Sequence, residues 1–378
     1  MDDDTLGDRL LLGRLLGGEG SRGAAAGGGA LDLSGWDEER WAALVWTARS
    51  GRVVPTLAAA VTDGSIDPGP GRAEELVELW RASMARCVHL EARLLWLHGE
   101  LERSGVELRV LKGSASAHLD HPRPELREFG DVDVLIRPPD LAKVFEVLRA
   151  DGFTRRFPEP AAGFDRRFAK SVSWAGDVEF DVHRTVAEGP IGHRIPIEDL
   201  WTASAPVVIA GTQLQALDRT GRFLHACLHA ELAPPPVRLA TIGDLCRLLP
   251  AIDAAEVARR ASAWGVAPLV DAAICAALRA GAVTNGTVPP GLSSETPIGM
   301  LEAALIAAHR DPDSSWAVRA AASVVTLPDW PTRWRYVRML AFPSSSYVGV
   351  RHAGRTARVG HFARRMGREL RSGWGAQR

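Results

Sequence analysis

Hydrophobic positions in the first third of the chain recur with the period of an α-helix. The pattern predicts helices over residues 36–50, 56–61 and 72–104, and the longest of them repeats its apolar positions about every 3.6 residues. Gly105 follows this helix at the position where a left-handed glycine commonly ends one. Residues 31–104 are therefore predicted to form an N-terminal helical region.

The pattern changes to the period of a β-strand after Gly105. Apolar and polar residues alternate over 106–110 and again over 129–136, and each run is followed by a short helical pattern. Two further strands, over 168–174 and 178–184, are predicted to form a hairpin. Residues 105–215 are thus expected to contain the sheet of the protein.

Helical patterns return in residues 216–378, and they are interrupted by prolines. Residues 1–30 read as a flexible N-terminal segment, because the glycine-rich stretch after a short leading helix cannot bury much apolar surface. The predicted fold class is α+β, with a small mixed β-sheet core flanked by N-terminal and C-terminal helical segments. The last 28 residues form a basic tail with eight arginines and one acid, either a solvated helix or a surface for a polyanionic partner.

Composition narrows the class of protein. The 45 basic and 46 acidic side chains give a formal charge of −1, which argues against a surface devoted to nucleic acid. The four cysteines form no Cys-x-x-Cys pair, so neither a zinc knuckle nor a disulfide framework is indicated. The chain has no apolar run of about 18 residues and begins with an acidic sequence, so we expect a cytoplasmic protein without a membrane partner.

A pair of acidic residues interrupts the apolar strand over 129–136. Asp131 and Asp133 are two positions apart, so their carboxylates point to the same face, about 6 to 7 Å apart. Like charges on a half-buried face repel each other unless a cation lies between them. The pair therefore predicts a divalent metal, Mg²⁺ or Mn²⁺, with a solvated strand face as the alternative interpretation.

Two further motifs surround this pair in the sequence. Lys112-Gly113-Ser114 lies at a predicted junction from strand to helix, where backbone N–H groups and a nearby cation suit a phosphate. On a later strand Glu179, Asp181 and His183 alternate onto one face and offer a third carboxylate. These residue types are the ones that nucleoside triphosphate chemistry with two Mg²⁺ ions requires.

This ordered set resembles the DNA polymerase beta-like nucleotidyltransferase superfamily, whose pattern is a Gly-Ser turn, a strand Asp-x-Asp and a third strand carboxylate. It is most similar to an uncharacterised nucleotidyltransferase family with Leu-Lys-Gly, then Arg-x-x-x-Asp-x-Asp-x-Leu, then Asp-x-His. These motifs begin here at Leu111, Arg127 and Asp181. The family also tends to carry two histidines on a later helix.

The resemblance implies transfer of an NMP group from an NTP, expected to be ATP, to a hydroxyl of a small molecule, peptide or protein, with release of pyrophosphate. Asp131 and Asp133 would bind both metal ions. Asp181 would bind the catalytic ion and help to activate the acceptor hydroxyl. The groups expected at the nucleotide phosphates are Lys112, Gly113, Ser114 and Arg127.

Several residues keep more than one interpretation. Glu179 is the alternative to Asp181 as third ligand, and His183 is expected to orient Asp181, to accept a substrate proton or to pack in the core. His225 and His229, four residues apart, could bind zinc, line the substrate cleft or pack against neighbouring helices. Asp244 is expected to form a structural ion pair with an arginine such as Arg238 or Arg247.

The motifs are also compatible with two functions besides nucleotidyl transfer. The main alternative function is that of a non-catalytic nucleotide-binding accessory protein on the same fold. A glycosyltransferase that uses nucleotide sugars is the less favoured one. Such enzymes also carry Asp-x-Asp, but a large nucleotide-binding α/β domain usually precedes that motif, whereas this chain begins with helices.

Overall fold

The computed structural model describes residues 3–17, 30–233, 236–292, 303–304, 307–308, 311, 323–325 and 327–347. The predicted arginine-rich tail and most of the glycine-rich segment lie outside these residues. The main helices are α1 (Asp3–Leu16), α2 (Glu38–Gly51), α3 (Val54–Thr62), α4 (Arg72–Arg103), α5 (Lys112–Leu119), α6 (Leu141–Ala150), α7 (Phe164–Arg167), α8 (Gly189–Gly192), α9 (Ile197–Thr202), α10 (Arg219–Leu232), α11 (Leu239–Leu248), α12 (Ala254–Trp264), α13 (Ala267–Arg279) and α14 (Trp330–Ala341). The strands are β1 (Leu31–Asp32), β2 (Ile66–Asp67), β3 (Leu108–Val110), β4 (Val132–Ile136), β5 (Thr154–Arg155), β6 (Ser171–Ala175), β7 (Glu179–His183), β8 (Ser204–Ile209) and β9 (Thr212–Leu217).

The predicted α+β fold class is confirmed. The three N-terminal helical patterns correspond to α2, α3 and α4, and Gly105 adopts a φ of 65° just after α4. In the part of the chain that the structure describes, no helix is both long and apolar enough to cross a membrane.

The chain forms two compact units, and the first contains residues 1–99, 109–133 and 200–296. In this unit β9 is parallel to β3, with Val110 opposite Ala216, and antiparallel to β8 along its whole length. The turn between β8 and β9 places Ala210 and Gly211 at positive φ, which matches the twist of a two-residue hairpin. The sheet in this unit is therefore mixed, and the hairpin β8–β9 was not predicted.

The core of the first unit lies among α1, α2, α3 and the start of α11. Each helix contributes fully buried side chains to one cluster, among them Leu12, Leu44, Leu57 and Leu239. Asp37 begins α2 by accepting a hydrogen bond from the Arg40 backbone N–H. The apolar positions that recur with helical period thus form the face with which each helix packs into the core.

The second unit contains residues 100–108, 134–199 and 297–378. Its strands follow the order β5-β6-β7-β4, and β6 pairs antiparallel with β7 from Ser171 opposite His183 to Ala175 opposite Glu179. The predicted hairpin is confirmed, but its first strand begins three residues later than predicted. Phe168 instead follows α7 and packs with Tyr336 and Leu340 of α14 in a small apolar cluster.

Candidate active site

The junction between β3 and α5 carries the predicted phosphate motif. Lys112 begins α5 with a φ of 45°, in the left-handed region that residues other than glycine rarely adopt. A Cβ on Gly113 would lie 2.3 Å from the Cβ of Phe129, so only glycine permits this close approach. Ser114 is buried, whereas Ser116, two residues further along α5, lines the adjoining cavity.

The acid pair lies beside this junction, at the start of β4. Asp133 is almost completely buried, and its Oδ1 is 2.6 Å from the Nζ of Lys112. Its backbone oxygen accepts a hydrogen bond from the Leu111 N–H at 3.0 Å. Asp131 is about one-third exposed, and its Oδ1 is 3.2 Å from Nη1 of Arg52. Each carboxylate therefore faces a cation of the same unit.

Arg52 and Arg238 are two further cations of this site, and no motif in the sequence indicates a phosphate role for either. Arg52 ends α2 with a φ of 57°, and the missing side chain of Gly130 leaves room for its guanidinium, 2.8 Å from where a Cβ would lie. Burial and the neighbouring Arg52 lower the pKa of Arg238, while Asp131 opposes this shift. The guanidinium stays protonated near neutral pH.

These groups line one cavity of about 710 Å³, measured with its open mouth. Besides the acid pair, its wall contains five cationic side chains, namely Arg52, Lys112, Arg127, Arg222 and Arg238. Two of the five are held by acids outside the pair Asp131 and Asp133, because Arg127 pairs with Asp244 and Arg222 pairs with Asp120. The remaining three line a region that also contains Asp131 and Asp133. The cavity thus combines oxygen ligands with positive charge, the combination that a metal-bound polyphosphate needs.

Arg127 is buried in an ion pair at the edge of this cavity. Its Nε and Nη2 each donate to a carboxylate oxygen of Asp244 at 2.7 Å, and Nε2 of His121 lies 3.1 Å from Oδ1 of the same carboxylate. Burial alone would raise the pKa of Asp244, but the Arg127 charge and hydrogen bonds outweigh it and hold the pKa at about 2. The expected ion pair of Asp244 with an arginine is confirmed, but the arginine is Arg127, in bidentate geometry, and not Arg238 or Arg247.

His225 and His229 both line the same cavity from α10. His225 is buried, and His229 is partly exposed. Among the described residues, neither histidine belongs to a group of three ligands that could hold a metal ion. Both histidines thus lie at this cavity, and lining of a substrate cleft stays a prediction.

The second unit carries the later acidic motif on β7. Oδ1 of Asp181 accepts a hydrogen bond of 2.5 Å from the Ser173 hydroxyl on β6. His183 is fully buried, with Nδ1 3.2 Å from the carbonyl oxygen of Thr185 and Nε2 3.9 Å from Oδ2 of Asp181. A carbonyl only accepts, so the contact assigns the proton to Nδ1 and leaves Nε2 as the ligand or acceptor atom. Glu179 instead forms an ion pair of 3.0 Å with Arg156.

Comparison with protein families gives one finding that covers most of this chain. A family model described as "Uncharacterised nucleotidyltransferase" matches residues 37–280, well over half of the chain and every candidate residue described above. A comparison with curated proteins finds no match.

Proposed function

Because the chain belongs to this family of uncharacterised nucleotidyltransferases, we propose that it transfers an NMP group from an NTP to a hydroxyl of a small molecule, peptide or protein. ATP is the proposed donor, and Mg²⁺ or Mn²⁺ is the proposed metal. The observation that carries the proposal is the acid pair Asp131 and Asp133 in a cavity whose wall also presents Lys112, Arg52 and Arg238.

The donor chemistry of the acid pair fits divalent cations. Mg²⁺ prefers carboxylate oxygens, and Asp131 and Asp133 supply them from neighbouring positions at the start of one strand. We propose Asp181 as the third carboxylate, since Glu179 is already paired with Arg156 whereas Asp181 is oriented by a serine hydroxyl. When bound, the metal ions would neutralise charge on the reacting phosphate groups.

The remaining chemistry would be performed by side chains of the chain. The acceptor oxygen forms a bond to the α-phosphorus, the bond between this phosphorus and the bridging oxygen of the β-phosphate breaks, and pyrophosphate leaves. Lys112, Arg52 and Arg238 would stabilise the negative charge that develops on the leaving pyrophosphate. The acceptor hydroxyl proton would pass to a carboxylate, for which Asp181 is the proposed base.

His183 and Arg127 would act by positioning other groups. His183 would help to position the metal ion that Asp181 binds, with Nε2 as a further ligand, because its Nδ1 proton is directed to the Thr185 carbonyl. Arg127 would fix the wall of the nucleotide cavity through its bidentate pair with Asp244. Gly113 would keep α5 close to Phe129 and thus hold Lys112 and the start of the helix at the cavity.

The proposal is tested by incubating the full chain with each labelled NTP and Mg²⁺, and by measuring NTP binding by calorimetry. We expect binding of at least one NTP, and labelling of the chain or of an added hydroxyl acceptor. Asp131→Asn, Asp133→Asn and Asp181→Asn should each lower transfer by about 100-fold or more, because each removes a charged ligand worth several kcal/mol in the transition state.

Glu179→Gln is the matched control on β7, and it should change transfer by less than about threefold, since exposed ion pairs contribute little. Equal losses in Asp181→Asn and Glu179→Gln would contradict the assignment of the third carboxylate. If no NTP binds and none is consumed, the proposed activity is wrong. Tight NTP binding that Asp131→Asn and Asp133→Asn leave unchanged would instead favour the non-catalytic accessory protein.

A further inference from the structure

A second cavity in the first unit lies outside the site described above. It measures about 790 Å³ with its open mouth. None of its lining residues also lines the cavity of Asp131 and Asp133. Its apolar wall comes from α1, α3 and the segment before β4, where the lining residues are Leu15, Leu16, Ala59, Ala60, Pro122 and Leu126.

The polar part of this second cavity contains buried groups without partners. The Ser65 hydroxyl is on a residue only 8% exposed, and it has no hydrogen-bond partner among the described residues. The Nε atom of Arg247 is also buried and lacks a partner in the same part of the chain. Each such group costs free energy when left without a partner, so its retention at a cavity wall points to a ligand.

The charges around these groups favour an anion. Arg247 and Arg123 line the cavity, against the single acid Asp63, whose Oδ1 already accepts a hydrogen bond from the Ser65 backbone N–H at 3.0 Å. Arg123 is already in an ion pair, since its Nε lies 3.5 Å from Oε1 of Glu125. Arg247 therefore provides the principal cation of this cavity. A guanidinium and a hydroxyl together match the oxygen atoms of a carboxylate or a phosphate.

We propose that this second cavity binds a small organic anion, with its carboxylate or phosphate group on Arg247 and Ser65 and a short apolar body against the leucines and alanines. The site is distinct from the nucleotide cavity because the two cavities share no lining residue. His121 lines the second cavity and Asp244 lines the first, and the two side chains are 3.1 Å apart. The proposal does not depend on nucleotidyl transfer.

The test measures binding of three probes to the full chain by calorimetry and by the shift in unfolding temperature. Inorganic phosphate, phenyl phosphate and benzoate separate the two headgroups and reveal the contribution of the apolar body. We expect the wild type to bind phenyl phosphate or benzoate more tightly than inorganic phosphate. Arg247→Met should weaken this binding by about tenfold or more, and Ser65→Ala should weaken it by a smaller factor.

Two controls separate this site from the nucleotide cavity and from a general loss of fold. Arg52→Met, which removes a cation of the nucleotide cavity, should leave binding of the tighter probe unchanged. Without probe, Arg247→Met should unfold at the same temperature as the wild type or higher, since it removes a buried donor that lacks a partner. Binding that Arg52→Met abolishes and Arg247→Met does not, or no binding of any probe, would overturn the proposal and indicate a cavity that holds only water.

Discussion

Lys112 combines a costly backbone conformation with a charge that is paired with a buried carboxylate. Its φ of 45° is unfavourable for a side chain with a Cβ, and its ammonium lies 2.6 Å from the nearly buried carboxylate of Asp133. Strained residues persist where the surrounding structure holds them, and they occur often at functional sites. At Lys112 the unfavourable backbone conformation coincides with a cation at the acid pair.

Replacement of Lys112 separates these two contributions. Lys112→Ala should lower the free energy of unfolding by about 3 kcal/mol, because it removes the cation beside a buried carboxylate. Lys112→Gly removes the same cation but relieves the left-handed backbone, so it should be more stable than Lys112→Ala by about 1 kcal/mol. Urea unfolding of the three proteins measures both differences, and equal stability of the two variants would show that the backbone is not strained.

The ion pair of Arg127 and Asp244 should make stability depend on pH in the acid range. The pKa of Asp244 is about 2 in the folded chain and 3.8 as the ordinary value. Because the folded pKa is the lower one, the contribution is complete above about pH 4 and is lost as the pH falls towards 2. This loss amounts to about 2 kcal/mol.

The matched comparison for this pH dependence is Asp244→Asn. The variant should be less stable than the wild type near neutral pH, because it leaves Arg127 buried without its counter-ion. The difference in unfolding free energy should shrink by about 2 kcal/mol between about pH 5 and pH 2, since only the wild type loses the charge. A constant difference across that range would contradict the low pKa.

Secondary structure elements were predictable where the pattern is long or regular. The periodic runs gave α2, α4 and the hairpin β6–β7 to within a few residues, because burial of one face controls both the sequence and the structure. The hairpin β8–β9 was not predicted, because its turn is Ala210-Gly211 and lacks the common Asn-Gly or Asp-Gly signal. The pairing of β9 with β3 joins residues about 100 positions apart, and no local pattern encodes it.

The residues of the candidate site were predictable to a similar extent. The acids and Lys112 have a recognisable spacing, whereas Arg52 reaches Asp131 from the end of a distant helix. Nothing in the sequence around Arg52 distinguishes it from the other arginines of this arginine-rich chain. The sequence predicts a role for Gly113 at phosphate, and the structure adds a steric requirement for glycine, since the side chain of Phe129 occupies the space of a Cβ.

Packing at the start of α5 can be tested with a pair of glycines in helices. Gly113→Ala should destabilise the chain by about 1 to 3 kcal/mol, because its Cβ would overlap Phe129. Gly99→Ala, in the interior of α4, meets no atom within 4 Å and should stabilise the chain by about 0.5 to 1 kcal/mol. Thermal or urea unfolding gives both values, and the same sign for both variants would contradict this account of Gly113.

The net charge of −1 conceals a strong local separation of charge. The cavity at the acid pair places three cations, Arg52, Lys112 and Arg238, around Asp131 and Asp133, while buried pairs neutralise the other arginines of its wall. A polyphosphate would therefore meet attraction from the cations and repulsion from Asp131 and Asp133. Which of the two dominates depends on whether a metal ion bridges the acids and the phosphates.

This balance predicts that one substitution has opposite effects with and without metal. In Mg²⁺, Asp131→Asn should bind NTP about tenfold or more weakly than the wild type, because it removes a ligand of the bridging ion. In EDTA the same variant should bind NTP at least as tightly as the wild type, because one negative charge has left the cavity and the cations remain. Calorimetric titrations in both conditions give the four affinities, with Glu179→Gln as the control that should not respond. If Asp131→Asn weakens NTP binding equally with Mg²⁺ and with EDTA, the carboxylate contributes through the structure of the cavity, and the assignment of Asp131 as a metal ligand is wrong.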